Sequence, residues 1–344
     1  MGPAEVVLPC ADLGPTLDFF VERLGFRVEV IFPADQPRVA SLSGHGLRVR
    51  LTPGQGAAGT IRIPGAGAAM TAPNGTRIEY FDPDPPVEVP ALVPAFVLTR
   101  AADGPGAGEG RAGMLYRDLI PGRLGGGFIA SHITIPDGGP VADWVHFHKI
   151  RFQMIFVRRG WVRVVYEDQG PAFVMQAGDC VLQPPRIRHR VLEASAGLEV
   201  VEIGCPALHE TLADHDLILP TGRVDPARDF EGQRFLRHVA AEAPWAAHGG
   251  FERRDTGMAQ ATGGLAGVSV LRSRTGGLFA ARAAGELQFG FVLEGSATLT
   301  HEGDNPLGPG DAFTIPPGTP WSVSAASGDF ALLEVVLPPG RATA

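Results

Sequence analysis

Three histidines stand where they could share a metal ion: His146 and His148, one residue apart, and His189 further along the chain. In a β-strand, residues i and i+2 face the same side, so His146 and His148 can aim at one point. His189 follows the turn Pro184-Pro185 and can face them from another strand. Three neutral imidazoles suit Fe(II), Mn(II), Ni(II), Cu(II) or Zn(II), one ion per chain. Gln153 lies in the same stretch. Its amide oxygen is a weak, neutral donor that could bind the metal, bind through water, or orient a ligand. Such a site leaves the ion its full double charge, so the expected substrate is a small anion able to chelate.

Other side chains around this stretch could serve the same chemistry. His132 is a candidate acid or base, because imidazole titrates near neutral pH. Arg151, Arg163 and Tyr166 are candidates to hold a carboxylate, by bidentate guanidinium contacts or a phenolic hydrogen bond. Trp144 and Phe128 could form an apolar wall. Glu202 could sit beside the site or on the surface. Core packing or solvent exposure is the bland alternative for each of these.

The elements that must position these residues are short strands. The chain has 344 residues with 46 glycines and 31 prolines, and helix-period segments are few. That composition favours strands joined by turns, in more than one domain. Residues 4–9 read as a strand, Asp12 can cap a helix over 13–24, and three alternating runs follow at 26–32, 38–44 and 47–53. The Gly/Ala-rich run 101–112 is the expected linker after a module over 1–100. Residues 113–205 read as one block of strands, 206–250 as short helices and loops, and 251–344 as a second strand-rich block. An internal repeat joins the two blocks. FQMIFVRRGWVRV aligns with LQFGFVLEGSATL, and QAGDCVLQPPRIRHRV with GPGDAFTIPPGTPWSV. The alignment sets Gln153 on Gln288 and Gly160 on Gly295. It sets the three histidines on Ala281, Ala283 and Trp321, so only the first copy keeps donors.

Both copies resemble the cupin superfamily. Its first motif is matched by His146-Phe147-His148, Gln153 and Gly160, and its second by Gly178-Asp179, Pro184-Pro185 and His189. Gln153 stands where the family usually has Glu. The resemblance implies a mainly β fold with two jelly-roll barrels in tandem over about 113–338 and a metal in the first. The stretch MQAGDCVLQPPRIRH is similar to gentisate- and salicylate-type ring-cleaving dioxygenases, which implies Fe(II), O2 and a hydroxylated aromatic acid or dicarbonyl. A non-oxidative isomerase, decarboxylase or lyase, or a ligand-binding barrel without turnover, are the alternatives. At the N-terminus, ADLGPTLDFFVERLGFRVEV and PNGTRIEYFDPD resemble a small α+β glyoxalase (vicinal-oxygen-chelate) module, with Glu79 at that family's ligand position. The first strand offers no histidine, so docking, dimerisation or a lid is the expected role there.

The formal net charge of −8 argues against a nucleic-acid partner. No apolar run nears the ~20 residues needed to cross a bilayer, and no signal segment is evident. The cysteines Cys10, Cys180 and Cys205 are scattered and odd in number. Free thiols, a cytoplasmic location and a homo-oligomer are expected. His45 and His301 read as turn residues.

Overall fold

The computed structural model describes residues 3–104, 108–109, 113–274 and 277–338. The chain divides into two compact units, Met1–Pro86 and Val87–Ala344. The first opens with the strand Val6–Pro9, the α-helix Leu13–Asp18 and a π-helical turn Phe19–Arg23. Three strands follow, Arg27–Phe32, Val39–Gly44 and Leu47–Thr52. In this four-stranded sheet Val6–Pro9 pairs in parallel with Leu47–Thr52, and the other two pairings are antiparallel. Phe20, Phe26, Leu42, Val49 and Leu51 are buried between helix and sheet. His45 is a turn residue with positive φ, its Nε2 2.6 Å from the Leu24 carbonyl. Glu79 forms an ion pair with Arg77 at 2.9 Å.

The second unit is built of two barrels, each from two facing sheets. In the first barrel, the central strand Phe152–Arg159 pairs with Leu198–Cys205 on one side and Cys180–Leu182 on the other. The facing sheet carries His146–His148, His189–Ala194 and Trp161–Tyr166. The second barrel repeats this with Leu287–Glu294 between Ala331–Leu337 and Ala312–Thr314, opposite Phe279–Arg282 and Pro320–Ser324.

Alternation along the central strands divides the apolar side chains between two cores. Phe152, Met154 and Phe156 join Phe289, Phe291 and Leu333 in a core between the barrels. Val157 on the opposite face packs inside the first barrel. The second barrel is filled by rings. Phe279 and Phe313 pack on Trp321, at 5.2 and 5.7 Å, and Phe251 joins Phe279 and Phe330 in the same core. Gly290 makes room for this packing, because a Cβ there would lie 2.3 Å from the Phe313 ring.

Each barrel takes one edge strand from outside the repeat. Val97–Thr99 pairs with Ala312–Thr314, and Leu236–His238 with Cys180–Leu182. The Gly-Asp motif explains the docking. Gly178 (φ 92°) and Gly310 (φ 86°) make left-handed turns open to glycine. The aspartates beyond them then accept the backbone N–H that follows each edge strand: Ala240 to Asp179 and Ala101 to Asp311, both at 2.8 Å. Two expectations change as a result. The first unit ends at Pro86 rather than at residue 100, and residues 100–101 are tied to the second barrel instead of opening a linker. Part of the expected linker, 105–107 and 110–112, lies outside the described residues. The helices expected in 206–250 are absent among the described residues. Thr211–Ala213, Leu236–His238 and Ala246–His248 are strands there, because open sheet edges offer hydrogen bonds that outweigh local helix propensity. Among the described residues, no helix is long and apolar enough to cross a membrane.

The inter-barrel core should carry much of the stability of this unit. Phe289 is fully buried. Phe289→Ala is expected to cost about 3–5 kcal/mol. A lower urea midpoint at unchanged secondary structure by circular dichroism is the measurement.

Candidate metal centre

Strand pairing brings the three histidines together. His146 and His189 are direct partners across the antiparallel pair, and His189 is in turn the partner of Tyr166. His148 lies two residues along from His146 on the same face. The ring centroids are 4.2 Å apart for His146–His189, 5.4 Å for His146–His148 and 5.5 Å for His148–His189. One ring nitrogen from each lies within 4.8 Å of the others. Among the described residues, this is the one group of three or more histidine, cysteine or carboxylate side chains so placed. All three are buried.

The backbone sets their tautomers. Nδ1 of His146 lies 2.8 Å from the Trp144 carbonyl, Nδ1 of His189 lies 3.0 Å from Ile187 O, and Nδ1 of His148 lies 3.2 Å from Glu210 O. Carbonyl oxygens only accept, so each Nδ1 carries the proton and each Nε2 the lone pair. That is the protonation state a metal-binding imidazole needs. Asp143 braces the arrangement, accepting from the backbone N–H of Trp144 and of Val191 at 2.9 Å each. It thereby ties the loop before His146 to the strand that carries His189.

The histidines open on a cavity of about 110 Å³ inside the first barrel. Gln153, Glu202, Gln183 and Tyr166 supply most of its remaining polar lining. Gln153 Nε2 donates to Glu202 at 2.6 Å, so its oxygen is the end left to face a cation. Gln183 Nε2 donates to the Tyr166 hydroxyl at 2.8 Å. Burial pushes the Tyr166 phenol well above its ordinary pKa; the Gln183 hydrogen bond opposes this and the nearby Glu202 charge adds to it. Tyr166 therefore stays neutral and able to donate.

Of the other residues named from sequence, Tyr166 and Glu202 line this cavity. Phe128 is fully buried in the core between the barrels. Trp144 is 40% exposed, and its carbonyl rather than its ring serves the site. Arg151 turns to the second barrel, paired with Glu286 at 2.6 Å. Arg163 pairs with Glu193 at 3.2 Å on the outside of the first barrel. His132 faces the second barrel, its ring 5.6 Å from Phe291 and its Nε2 2.9 Å from Glu199. The cause in each strand is parity, since a shift of one residue sends a side chain through the opposite face. His301 is buried instead of exposed at a turn, against Phe96 and the Pro320 carbonyl.

Sequence reasoning did not single out Gln183 and left Glu202 undecided. The repeat holds a signal for Glu202. Gln288 donates to Glu334 at 3.0 Å in the second barrel, as Gln153 does to Glu202 in the first. Two Gln–Glu pairs at matched strand positions mark an inward carboxylate. The expected site charge changes accordingly, because one carboxylate faces the cavity beside the neutral donors.

The second unit thus has the fold of two cupin-like barrels in tandem, with one candidate metal centre among the described residues. Residues 280–336 match the family model of a cupin domain, which places the match on the barrel without histidine donors. Comparison with curated proteins gives no match. Among solved structures, the chain is similar to a mutant of Bacillus subtilis oxalate decarboxylase (TM-score 0.53, 12% identity, 74% of this chain and 79% of that one). It is also similar to Lactobacillus farciminis oxalate decarboxylase in a formate complex (TM-score 0.53, 13% identity, 74% and 88%). A third similar structure comes from work on the Mn(II) centres of the Bacillus enzyme (TM-score 0.52, 13% identity, 74% and 79%). At such identity the likeness shows the fold alone. The glyoxalase-like and ring-cleaving-dioxygenase resemblances rest on their sequence motifs.

His132 makes a prediction of its own. Burial holds its pKa below the ordinary 6.5, with Arg117 and Arg158 adding to the effect and Glu199 opposing it. Below pH 6.5 the unfolded chain therefore binds this proton more readily than the folded one, and stability falls with pH. Arg158, His132 and Arg159 lower the Glu199 pKa against the effect of its burial, so its contribution is lost only further into the acid range. His132→Gln should flatten the stability profile on the acid side of about pH 6.5. Urea denaturation across that range checks it; an unchanged slope would remove His132 as the cause.

Proposed function

We propose that the first barrel is the active site of a metal-dependent cupin enzyme that acts without oxidation on a small chelating anion, as a decarboxylase, lyase or isomerase. His146, His148 and His189 hold one divalent ion, and Gln153 offers a neutral oxygen beside them. The convergence of three imidazole nitrogens within 4.8 Å carries this reading. The fold shared with oxalate decarboxylases supports the non-oxidative class, and the Mn(II) centres of the Bacillus enzyme make Mn(II) the first ion to test, ahead of Fe(II). The bound ion would act as a Lewis acid on a carbonyl or carboxylate oxygen.

The chain's own groups supply the rest. Glu202 is the carboxylate of the cavity and the group placed to take or return a proton. Its hydrogen bond from Gln153 keeps one oxygen engaged and leaves the other to the reacting atoms. The neutral Tyr166 hydroxyl, held by Gln183, donates to a developing oxyanion. The apolar wall excludes bulk water, which strengthens both contacts.

Metal analysis after anaerobic loading with Mn(II) or Fe(II) should give about one ion per chain. Replacing His146, His148 and His189 together by Ala should abolish that binding; retained stoichiometry would sink the site. An oxygen electrode then separates the reaction classes. Consumption of small 2-oxo or β-dicarbonyl acids without oxygen uptake is expected. Stoichiometric uptake with Fe(II) would favour the dioxygenase chemistry suggested by the motif resemblance.

A further inference from the structure

The lining of the first barrel also bears on what kind of anion fits there. This inference rests on the metal reading above and narrows its substrate. No lysine or arginine lines the cavity among the described residues. Arg188, next to His189, pairs with Asp214 at 3.1 Å, and Arg151 and Arg163 pair with Glu286 and Glu193. The one charged side chain in the lining is Glu202, which repels a second negative charge. Away from the histidines the wall is mainly aliphatic, with Ile133, Val162, Val164, Met175, Leu198 and Val200 beside Tyr116. Such a wall offers no cation to pair with a desolvated carboxylate, and burying an unpaired charge is costly. It does reward a buried alkyl group. Size sets the upper limit. The cavity is about 110 Å³, somewhat less than the roughly 150 Å³ that accommodates a benzene ring.

From these features we infer that the site takes a chelator with a single negative charge and a short aliphatic tail, of the class of small 2-oxo acids. The carboxylate and adjacent carbonyl form the chelating head at the histidines. Tyr166 donates to the head, and the tail lies against the aliphatic wall. Longer dicarboxylates, whose second carboxylate would lie against the aliphatic wall, fit poorly.

The test is calorimetric titration of the full-length, Mn(II)-loaded chain, with binding rather than turnover as the readout. Pyruvate, 2-oxobutyrate and 2-oxovalerate form the tail series; 2-oxoglutarate, with a carboxylate on its tail, is the doubly charged comparison. Affinity should rise about fourfold per added methylene until the cavity is full. 2-Oxoglutarate should bind at least about tenfold more weakly than 2-oxobutyrate. Ile133→Val removes one methylene from the wall without introducing polarity, and should shift the preference toward the longer tail. 2-Oxoglutarate binding as tightly as 2-oxobutyrate would overturn the inference, as would a tail preference unmoved by Ile133→Val. Mn(II) bound by the histidines with no affinity for any of the four acids would also overturn it, and would leave the metal centre standing. Failure of the native chain to hold Mn(II) would instead remove the metal reading itself.

Discussion

The second unit depends on how one strand shares its two faces. Phe152–Arg159 sends Phe152, Met154 and Phe156 into the core between the barrels, and Gln153, Ile155 and Val157 into the first barrel. A shift of one residue would bury Gln153 between the barrels and turn the phenylalanines into the cavity. The inter-barrel core therefore enforces the register on which the candidate site relies. The pairing with Leu198–Cys205 carries the same constraint across the sheet and sets Glu202 diagonal to Gln153.

Comparison of the two barrels shows how one architecture can be open or closed. In both, a central Gln donates to an inward Glu. In the first, small and medium aliphatic side chains leave a cavity below three histidines. In the second, Trp321 occupies the place of His189 opposite Ala281, just as His189 lies opposite His146. Phe313 fills the space conceded by Gly290. The second barrel spends its interior on packing, and its outer face contributes half of the core behind the first. Its Gly-Asp turn does the same structural work as that of the first, pinning an edge strand contributed from elsewhere in the chain. The shared part of the motif thus serves the fold, and the histidines alone distinguish the barrel with a site.

The electrostatics follow the same division. The ionisable groups His132, Glu199, Arg158 and Arg117 meet between the barrels, Glu199 with His132 and Arg158, and Arg117 with His132. The cavity keeps only Glu202. A residue such as His132 looks suited to catalysis by type and sequence proximity, yet its strand turns it toward Phe291. Proximity along a chain of short strands says little about which side of a sheet a group faces.

The sequence by itself determined the tandem repeat, the mainly β architecture and the grouping of His146, His148 and His189. Spacing of two along a strand and matched turns are local properties, so they are legible without a fold. It also showed that Ala281, Ala283 and Trp321 replace the donors in the second copy. The tertiary structure decided which of the remaining candidates face the cavity. It kept Tyr166, added Gln183, drew in Glu202, and turned Arg151, Arg163, Phe128 and His132 elsewhere. It also decided that 97–99 and 236–238 complete the barrels as edge strands. The physical reason is common to all of these. Facing and edge pairing depend on register and on partners distant in sequence, and neither is set by the types of neighbouring residues.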